Sequence, residues 1–276
     1  MAAGRTVPEK VTDLKANNNG VKSLQVSWVP PAGDWDQYHI VLYNQSIVLL
    51  NSSVEEHFRE FIIQDVGLIP GRQYDVAVVV ESGGLKNTAY CKGRTAPQSV
   101  QQLRVKHINE SSFVITWVTP LAEWDSYVVS LADRDFILIN KVLAKEAKEF
   151  TFSDLVPGRK YTAKVTSISG ELNNWAATDG RTVPFQVTNL NLVNQGKSTS
   201  LYAEWTTGRG DVDSFQVLLI HENIVIKNES VSSDTNKYQF HSLKPGGLYS
   251  VVVTTLSGGI ASRQSLAEGR TAHWGN

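Results

Sequence analysis

The residues of this chain that could do chemistry are few and scattered. Six histidines occur: His39, His57, His107, His221, His241 and His273. No pair of them has the helical spacing of a metal site. Cys91 is the single cysteine, so the chain can close no disulfide within itself. It sits in an alternating stretch, where a small strand residue is the first reading and a reactive or intermolecular thiol the second. Arg209-Gly210-Asp211 matches the tripeptide that integrins read in adhesive loops. Sequons at Asn44, Asn51, Asn109 and Asn228 fall at positions that read as turns, which predicts N-glycans there. The chemistry on offer is glycan attachment and adhesion. No residue is assigned to catalysis, to a cofactor or to a metal.

The elements that position these residues come from a repeat. Leu68-Ile69-Pro70-Gly71-Arg72-Gln73-Tyr74 returns as Leu155-Val156-Pro157-Gly158-Arg159-Lys160-Tyr161 and as Leu243-Lys244-Pro245-Gly246-Gly247-Leu248-Tyr249. A spacing near 90 residues is too long for a solenoid unit and suits a small autonomous domain. After each tyrosine the residues alternate, as in Tyr74, Val76, Val78 and Val80, which predicts a strand with one buried face. Pro-Gly ahead of it turns the chain sharply. The tyrosine ring then lies inside, and its hydroxyl returns to the backbone of the corner, the tyrosine-corner device of Greek-key sandwiches.

Each repeat carries the same further marks. Leu24, Val26 and Trp28 alternate in the first, Phe113, Ile115 and Trp117 in the second, and Leu201, Ala203 and Trp205 in the third. Trp35-Asp36-Gln37-Tyr38 matches Trp124-Asp125-Ser126-Tyr127, while the third repeat has Val212-Asp213-Ser214-Phe215. Gly93-Arg94-Thr95, Gly180-Arg181-Thr182 and Gly269-Arg270-Thr271 close the repeats. Seven short strands with turn signals between them predict an antiparallel sandwich in each, and no helix. The expected division is a tail over 1–7, modules over 8–95, 96–182 and 183–271, and a tail over 272–276. Met1-Ala2-Ala3-Gly4 reads as the start of a fragment and lacks the apolar core of a signal peptide.

Composition narrows the functions. The formal net charge is -1 over 276 residues, which argues against a nucleic-acid or anionic-membrane partner. No apolar run approaches 18 residues, so no segment is expected to insert in a membrane. Thr95-Ala96-Pro97 and Thr182-Val183-Pro184 leave almost no linker, and proline stiffens both. Three modules end to end predict a rod on the order of 100 Å with limited bending.

The tryptophan on the second strand, the Leu-x-Pro-Gly-x-x-Tyr corner and the lack of a disulfide resemble the fibronectin type III module. The resemblance runs from Pro8 to Thr271 and implies all-β, immunoglobulin-like seven-stranded sandwiches. Trp28, Tyr74, Trp117, Tyr161, Trp205 and Tyr249 are then the structural core. The Gly-Arg-Thr-Val/Ala-Pro junctions with Trp-Asp-x-Tyr are similar to ectodomains of receptor-type protein tyrosine phosphatases of the vascular endothelial branch. Val212 departs from that pattern where Trp35 and Trp124 have their counterpart. The resemblance implies an extracellular segment of a single-pass plasma-membrane protein acting in endothelial adhesion and angiogenesis signalling. Its implied partners are endothelial adhesion proteins or receptor kinases.

The phosphatase chemistry of that family needs a Cys-x-x-x-x-x-Arg loop, and Cys91 is followed at that distance by Pro97. This segment is therefore expected to be non-catalytic. An adhesive matrix or cell-surface fragment, integrin-binding through Arg209, Gly210 and Asp211, is the alternative. The known integrin loop of such modules lies between the last two strands, whereas this tripeptide lies between the second and third. Trp35 and Trp124 read as plugs over the core. Trp175, placed between the last two strands of the second module, reads as a candidate exposed contact. Arg94, Arg181 and Arg270 read as supports for their own strand or for the junction, with anion binding as the other option.

Overall fold

The structure is a computed structural model that describes residues 4–275. The first three residues of the expected N-terminal tail, and Asn276 of the C-terminal one, lie outside the described residues. The first unit contains β1 (Thr12–Asn18), β2 (Leu24–Val29), β3 (Gln37–Asn44), β4 (Ile47–Glu55), β5 (Glu60–Ile63), β6 (Gln73–Ser82) and β7 (Leu85–Arg94). The second contains β8 (Gln101–Lys106), β9 (Phe113–Val118), β10 (Ser126–Asp133), β11 (Phe136–Ala144), β12 (Glu149–Phe152), β13 (Lys160–Ser169) and β14 (Leu172–Arg181). The third contains β15 (Thr188–Val193), β16 (Leu201–Thr206), β17 (Ser214–His221), β18 (Ile224–Ser232), β19 (Lys237–Phe240), β20 (Leu248–Ser257), β21 (Ile260–Ala261) and β22 (Ser265–Arg270). No helix occurs among the described residues.

Each unit is a sandwich of two antiparallel sheets. One is three-stranded, in the orders β1-β2-β5, β8-β9-β12 and β15-β16-β19. The other runs β4-β3-β6-β7, β11-β10-β13-β14 and β18-β17-β20, with β21 and β22 both pairing β20. Alternation decides which side chains face inward. In β2, Leu24, Val26 and Trp28 are buried while Gln25 and Ser27 between them are partly exposed. The inward residues form three separate cores, one per unit, so none draws on residues of another. Trp28, Trp117 and Trp205 lie edge-on to Tyr38, Tyr127 and Phe215 at centroid distances of 5.3, 5.5 and 5.6 Å.

The corner closes in all three units. The hydroxyls of Tyr74, Tyr161 and Tyr249 accept hydrogen bonds from the backbone N–H of Ile69, Val156 and Lys244 at 2.7, 2.8 and 2.9 Å. Trp35 and Trp124 pack partly buried on their cores, with centroids 5.7 and 5.8 Å from Tyr38 and Tyr127.

Several local expectations need correction. The last strand of the first unit starts at Leu85, just beyond Gly83 and Gly84 and well ahead of Tyr90. Both glycines have positive φ, which makes the tight hairpin matching the strand twist. By the same extension Trp175 stands on β14 and not in a loop. Asn51 and Asn228 lie within the edge strands β4 and β18 rather than at turns. The third unit breaks its last strand at Ser262, because it holds one more residue between Tyr249 and Gly269 than its siblings hold between tyrosine and glycine. Ser262 Oγ accepts from Thr255 N–H at 2.9 Å and fills the interrupted ladder.

Candidate functional site

The polar residues that converge in this molecule do so at the two junctions between units. The Pro-Gly-Arg corner of one unit meets the loop between the second and third strands of the next. At the first junction, Glu123 N–H donates to Pro70 O at 3.0 Å. At the second, Asp211 N–H donates to Pro157 O at 2.9 Å. Gly71 and Gly158 hold φ of +77° and +70°, and a Cβ on either would run into the carbonyl of Glu123 or Asp211. Glycine is required here both for its left-handed backbone and for the close approach.

Charge reinforces this contact. Arg72 Nε donates to Glu123 Oε1 at 2.9 Å. Arg159 forks onto Asp211 through Nε and Nη2, both at 3.1 Å, and its Nη1 reaches Asp133 at 3.1 Å. Such bidentate geometry is what a guanidinium does best. The hydrogen bond with Glu123, more than simple proximity, holds Arg72 above its ordinary value and keeps the Glu123 carboxyl below the usual glutamate range. Arg159 is pushed upward chiefly by its hydrogen bond with Asp211.

A second brace uses the closing tripeptides. Arg94 Nη1 donates to Gly71 O at 3.0 Å and to Ser169 Oγ of the next unit at 2.9 Å. Ser169 Oγ in turn donates to Gly71 O at 2.5 Å. Arg181 repeats this with Gly158 O at 2.8 Å and Ser257 Oγ at 3.3 Å, and Ser257 Oγ donates to Gly158 O at 2.7 Å. Thr95, Thr182 and Thr271 tie the end of each last strand to the carbonyls of Ile69, Val156 and Lys244 at 2.7, 2.6 and 2.6 Å. Gly93 lies so close to Ala16 that a Cβ would press on its side chain and carbonyl. Every member of the Gly-Arg-Thr motif thus has a contact. Among the described residues Arg270 reaches only Gly246 O, at 2.7 Å. Arg5, within the expected tail, pairs with Asp36 at 2.9 Å and reaches Ser82 Oγ, the counterpart of Ser169 and Ser257.

The junction makes Asp211 a structural partner of Arg159. Gly210 is backed by Pro157, where a Cβ would collide. An open cleft of about 880 Å³ runs beside it, lined by Asp133, Arg159, Lys160, Arg181 and Asp211. Its charges are of both signs, and Arg159, Asp133, Asp211 and Arg181 already have partners.

The remaining candidates are dispersed. Asn51, Asn109 and Asn228 are exposed and Asn44 partly so. Asn109 Oδ1 accepts from Ser111 and Ser112 N–H at 2.9 and 2.8 Å. Trp175 is 52% exposed, with Lys164 Nζ 4.5 Å from its ring centre. Cys91 is half-buried in the first core, and burial, then Asp75, pushes its thiol up to about 11. His39 meets Glu81 at 2.6 Å, and that hydrogen bond draws the Glu81 carboxyl downward. His221 stacks on Tyr249 at 4.5 Å. Among the described residues no three His, Cys, Asp or Glu side chains gather as a metal would need.

Sequence reasoning missed Ser169, Ser257, Arg72, Arg159 and Glu123 as junction residues. The serines were findable. Ser82, Ser169 and Ser257 each stand eight residues after the corner tyrosine.

Comparison with known proteins agrees with the repeat. The profile of the "Fibronectin type III domain" matches residues 9–90, 95–178 and 185–268. Receptor-type tyrosine-protein phosphatase V of Rattus norvegicus is 31% identical over 174 residues, covering 59% of this chain and 10% of that protein. Tenascin-N of Mus musculus is 25% identical over 259 residues, covering 94% of this chain and 16% of that protein. The chain therefore spans a small part of the curated relatives it matches. Among solved structures, a two fibronectin type-III domain segment from chicken tenascin aligns with 62% of this chain and 99% of its own, at TM-score 0.47 and 22% identity.

Proposed function

Because the chain belongs to the fibronectin type III family, in three copies braced end to end, we propose that it is an extracellular spacer and protein-interaction segment. The observation that supports this best is the doubled brace at each junction. Two adjoining modules share a backbone hydrogen bond, an ion pair and an arginine–serine clamp. Such joints hold exposed faces at fixed spacing and bring no reacting groups together.

The finer reading follows the match to a receptor phosphatase. The segment belongs to the ectodomain of a single-pass receptor-type protein tyrosine phosphatase, with catalysis in a domain outside this chain. It acts at endothelial cell surfaces in adhesion and angiogenesis signalling, bearing N-glycans at Asn44, Asn51, Asn109 and Asn228. The modules divide near 8–95, 96–182 and 183–271. Matches to tenascins support a second reading, an adhesive matrix fragment. In either case Arg209-Gly210-Asp211 serves the junction, since its aspartate is held by Arg159.

The test is crosslinking of the secreted, tagged chain to living endothelial cells, followed by mass spectrometry. Recovery of adhesion proteins or receptor kinases supports the receptor reading. Recovery of matrix components alone overturns it in favour of the second. Integrin-dependent attachment that falls in Asp211→Glu would overturn the junction role of the tripeptide.

A further inference from the structure

The loop between the second and third strands meets a neighbouring module in two of the three units. Glu123 and Asp211 pair there with Arg72 and Arg159 of the module before. Their counterpart in the first module is Asp34. Each of the three stands two residues ahead of a shared aspartate, Asp36, Asp125 or Asp213. Asp34 is exposed, and among the described residues neither its carboxylate holds an ion pair nor its N–H a backbone partner. Ser82 nearby is only 7% exposed. Its counterparts Ser169 and Ser257 donate to Gly71 O and Gly158 O of the module before. Among the described residues Ser82 Oγ only accepts, from Arg5 at 3.5 Å.

The residues seated on this face indicate its occupant. Gly4-Arg5-Thr6-Val7-Pro8 repeats the joints Gly93-Arg94-Thr95-Ala96-Pro97 and Gly180-Arg181-Thr182-Val183-Pro184. Arg5 also takes the same place in space. A Cβ on Gly83 would strike Arg5, just as one on Gly170 would strike Arg94 and one on Gly258 would strike Arg181. The difference lies in what the guanidinium reaches. Arg94 and Arg181 donate to the corner carbonyls Gly71 O and Gly158 O, whereas Arg5 turns to the Asp36 carboxylate at 2.9 Å. Thr95 and Thr182 are buried against the corners they tie, whereas Thr6 is exposed. A second copy of this chain does not supply the match. Arg72 and Arg159 are engaged at the internal junctions, and the third corner has Gly247 at the arginine position.

We infer that this face of the first module is a docking site for the Pro-Gly-Arg corner of a further fibronectin type III module, one whose last strand ends in Gly4-Arg5-Thr6. An open cleft of about 610 Å³, lined by Arg5, Thr6, Asp34 and Ser82, receives the corner. The contacts follow those of the internal junctions. Asp34 N–H donates to the corner proline carbonyl, and its carboxylate accepts from the corner guanidinium. Ser82 Oγ donates to the corner glycine carbonyl. Arg5 leaves Asp36 for that same carbonyl, and the docked module covers Thr6. The braced array thus extends past the first module, under either reading of the segment.

The test places a copy of residues 8–92 directly ahead of Gly4 in the full chain. The first module has a core of its own, so the added copy folds and presents Pro70-Gly71-Arg72 to the receiving copy. Spin labels at Glu60→Cys in both copies, with Cys91→Ala in both, report the angle of the new joint by pulsed electron-spin distances. The parent should give one narrow distribution. Asp34→Arg in the receiving copy, which sets like charges against Arg72, should abolish the narrow peak. Arg72→Asp in the added copy should then restore it by reversing the pair. Asp34→Arg in the added copy, which faces no corner, should leave the peak narrow and so controls for folding. A broad distribution in the parent overturns the proposal. So does a narrow one that Asp34→Arg in the receiving copy does not move, because the short linker alone would then set the angle.

Discussion

Replacing Gly158 with alanine should unlock the second junction while leaving both modules folded. Two costs arise. An L-residue at φ near +70° pays about 1–2 kcal/mol. The new methyl also collides with the Asp211 carbonyl, so the loop must withdraw from the corner. Withdrawal breaks the Asp211–Pro157 backbone bond, the Ser257–Gly158 bond and the Arg159–Asp211 fork. At about 1 kcal/mol for each of these three partly solvated contacts, the lost coupling is about 3 kcal/mol, a shift of roughly 150-fold toward the open joint. Gly259→Ala is the control. Gly259 has a similar φ of +81°, and a Cβ there would meet nothing within 4 Å, so it carries the backbone cost without the collision.

The assay is a pulsed electron-spin distance measurement between labels at Lys148→Cys and Lys237→Cys, in Cys91→Ala. Alanine is the natural counterpart of Cys91 at Ala267. The parent chain should give one narrow distance distribution. Gly158→Ala should broaden it, and Gly259→Ala should keep it narrow despite a comparable fall in melting temperature. A narrow distribution in Gly158→Ala, or equal broadening in both, would refute the claim that these contacts set the angle between modules.

The first junction should respond to acid. Its Glu123 carboxyl is held below the usual range, so its contribution is present above that range and is lost as pH falls through the lowered value. Distances across this joint should broaden only at a pH below the ordinary glutamate range, whereas Glu123→Gln should be broad at neutral pH already. Tyr74→Phe should cost about 1 kcal/mol, a drop of about 4–8 °C in the first module's melting temperature, because Ile69 N–H loses its acceptor. Tyr38→Phe should stay within about 0.5 kcal/mol, since that buried hydroxyl meets no hydrogen-bond partner among the described residues and the third module carries Phe215 there. Cys91 should resist iodoacetamide at pH 8 in the folded chain and react on denaturation, because burial keeps its thiol protonated. Rapid alkylation of native protein would show the opposite.

The sequence alone determined the module and its core. Period-two alternation around Trp28, Trp117 and Trp205 tells which face is buried, and the fixed corner motif ties each tyrosine hydroxyl to a backbone five residues earlier. These are local rules, repeated three times, so they could be read without coordinates. Strand ends were less legible. The start of β7 depends on a two-glycine hairpin, and the position of Trp175 follows from the same extension one module later. Only the tertiary structure decided what the polar repeats do. Arg94 looks like an exposed strand residue until the next module brings Ser169 beside it, some 75 residues further along. Asp211 looks like part of an adhesive tripeptide until Arg159 closes on it. The spacing between such partners follows from how one sandwich seats on another, and neither sequence period nor composition carries that geometry.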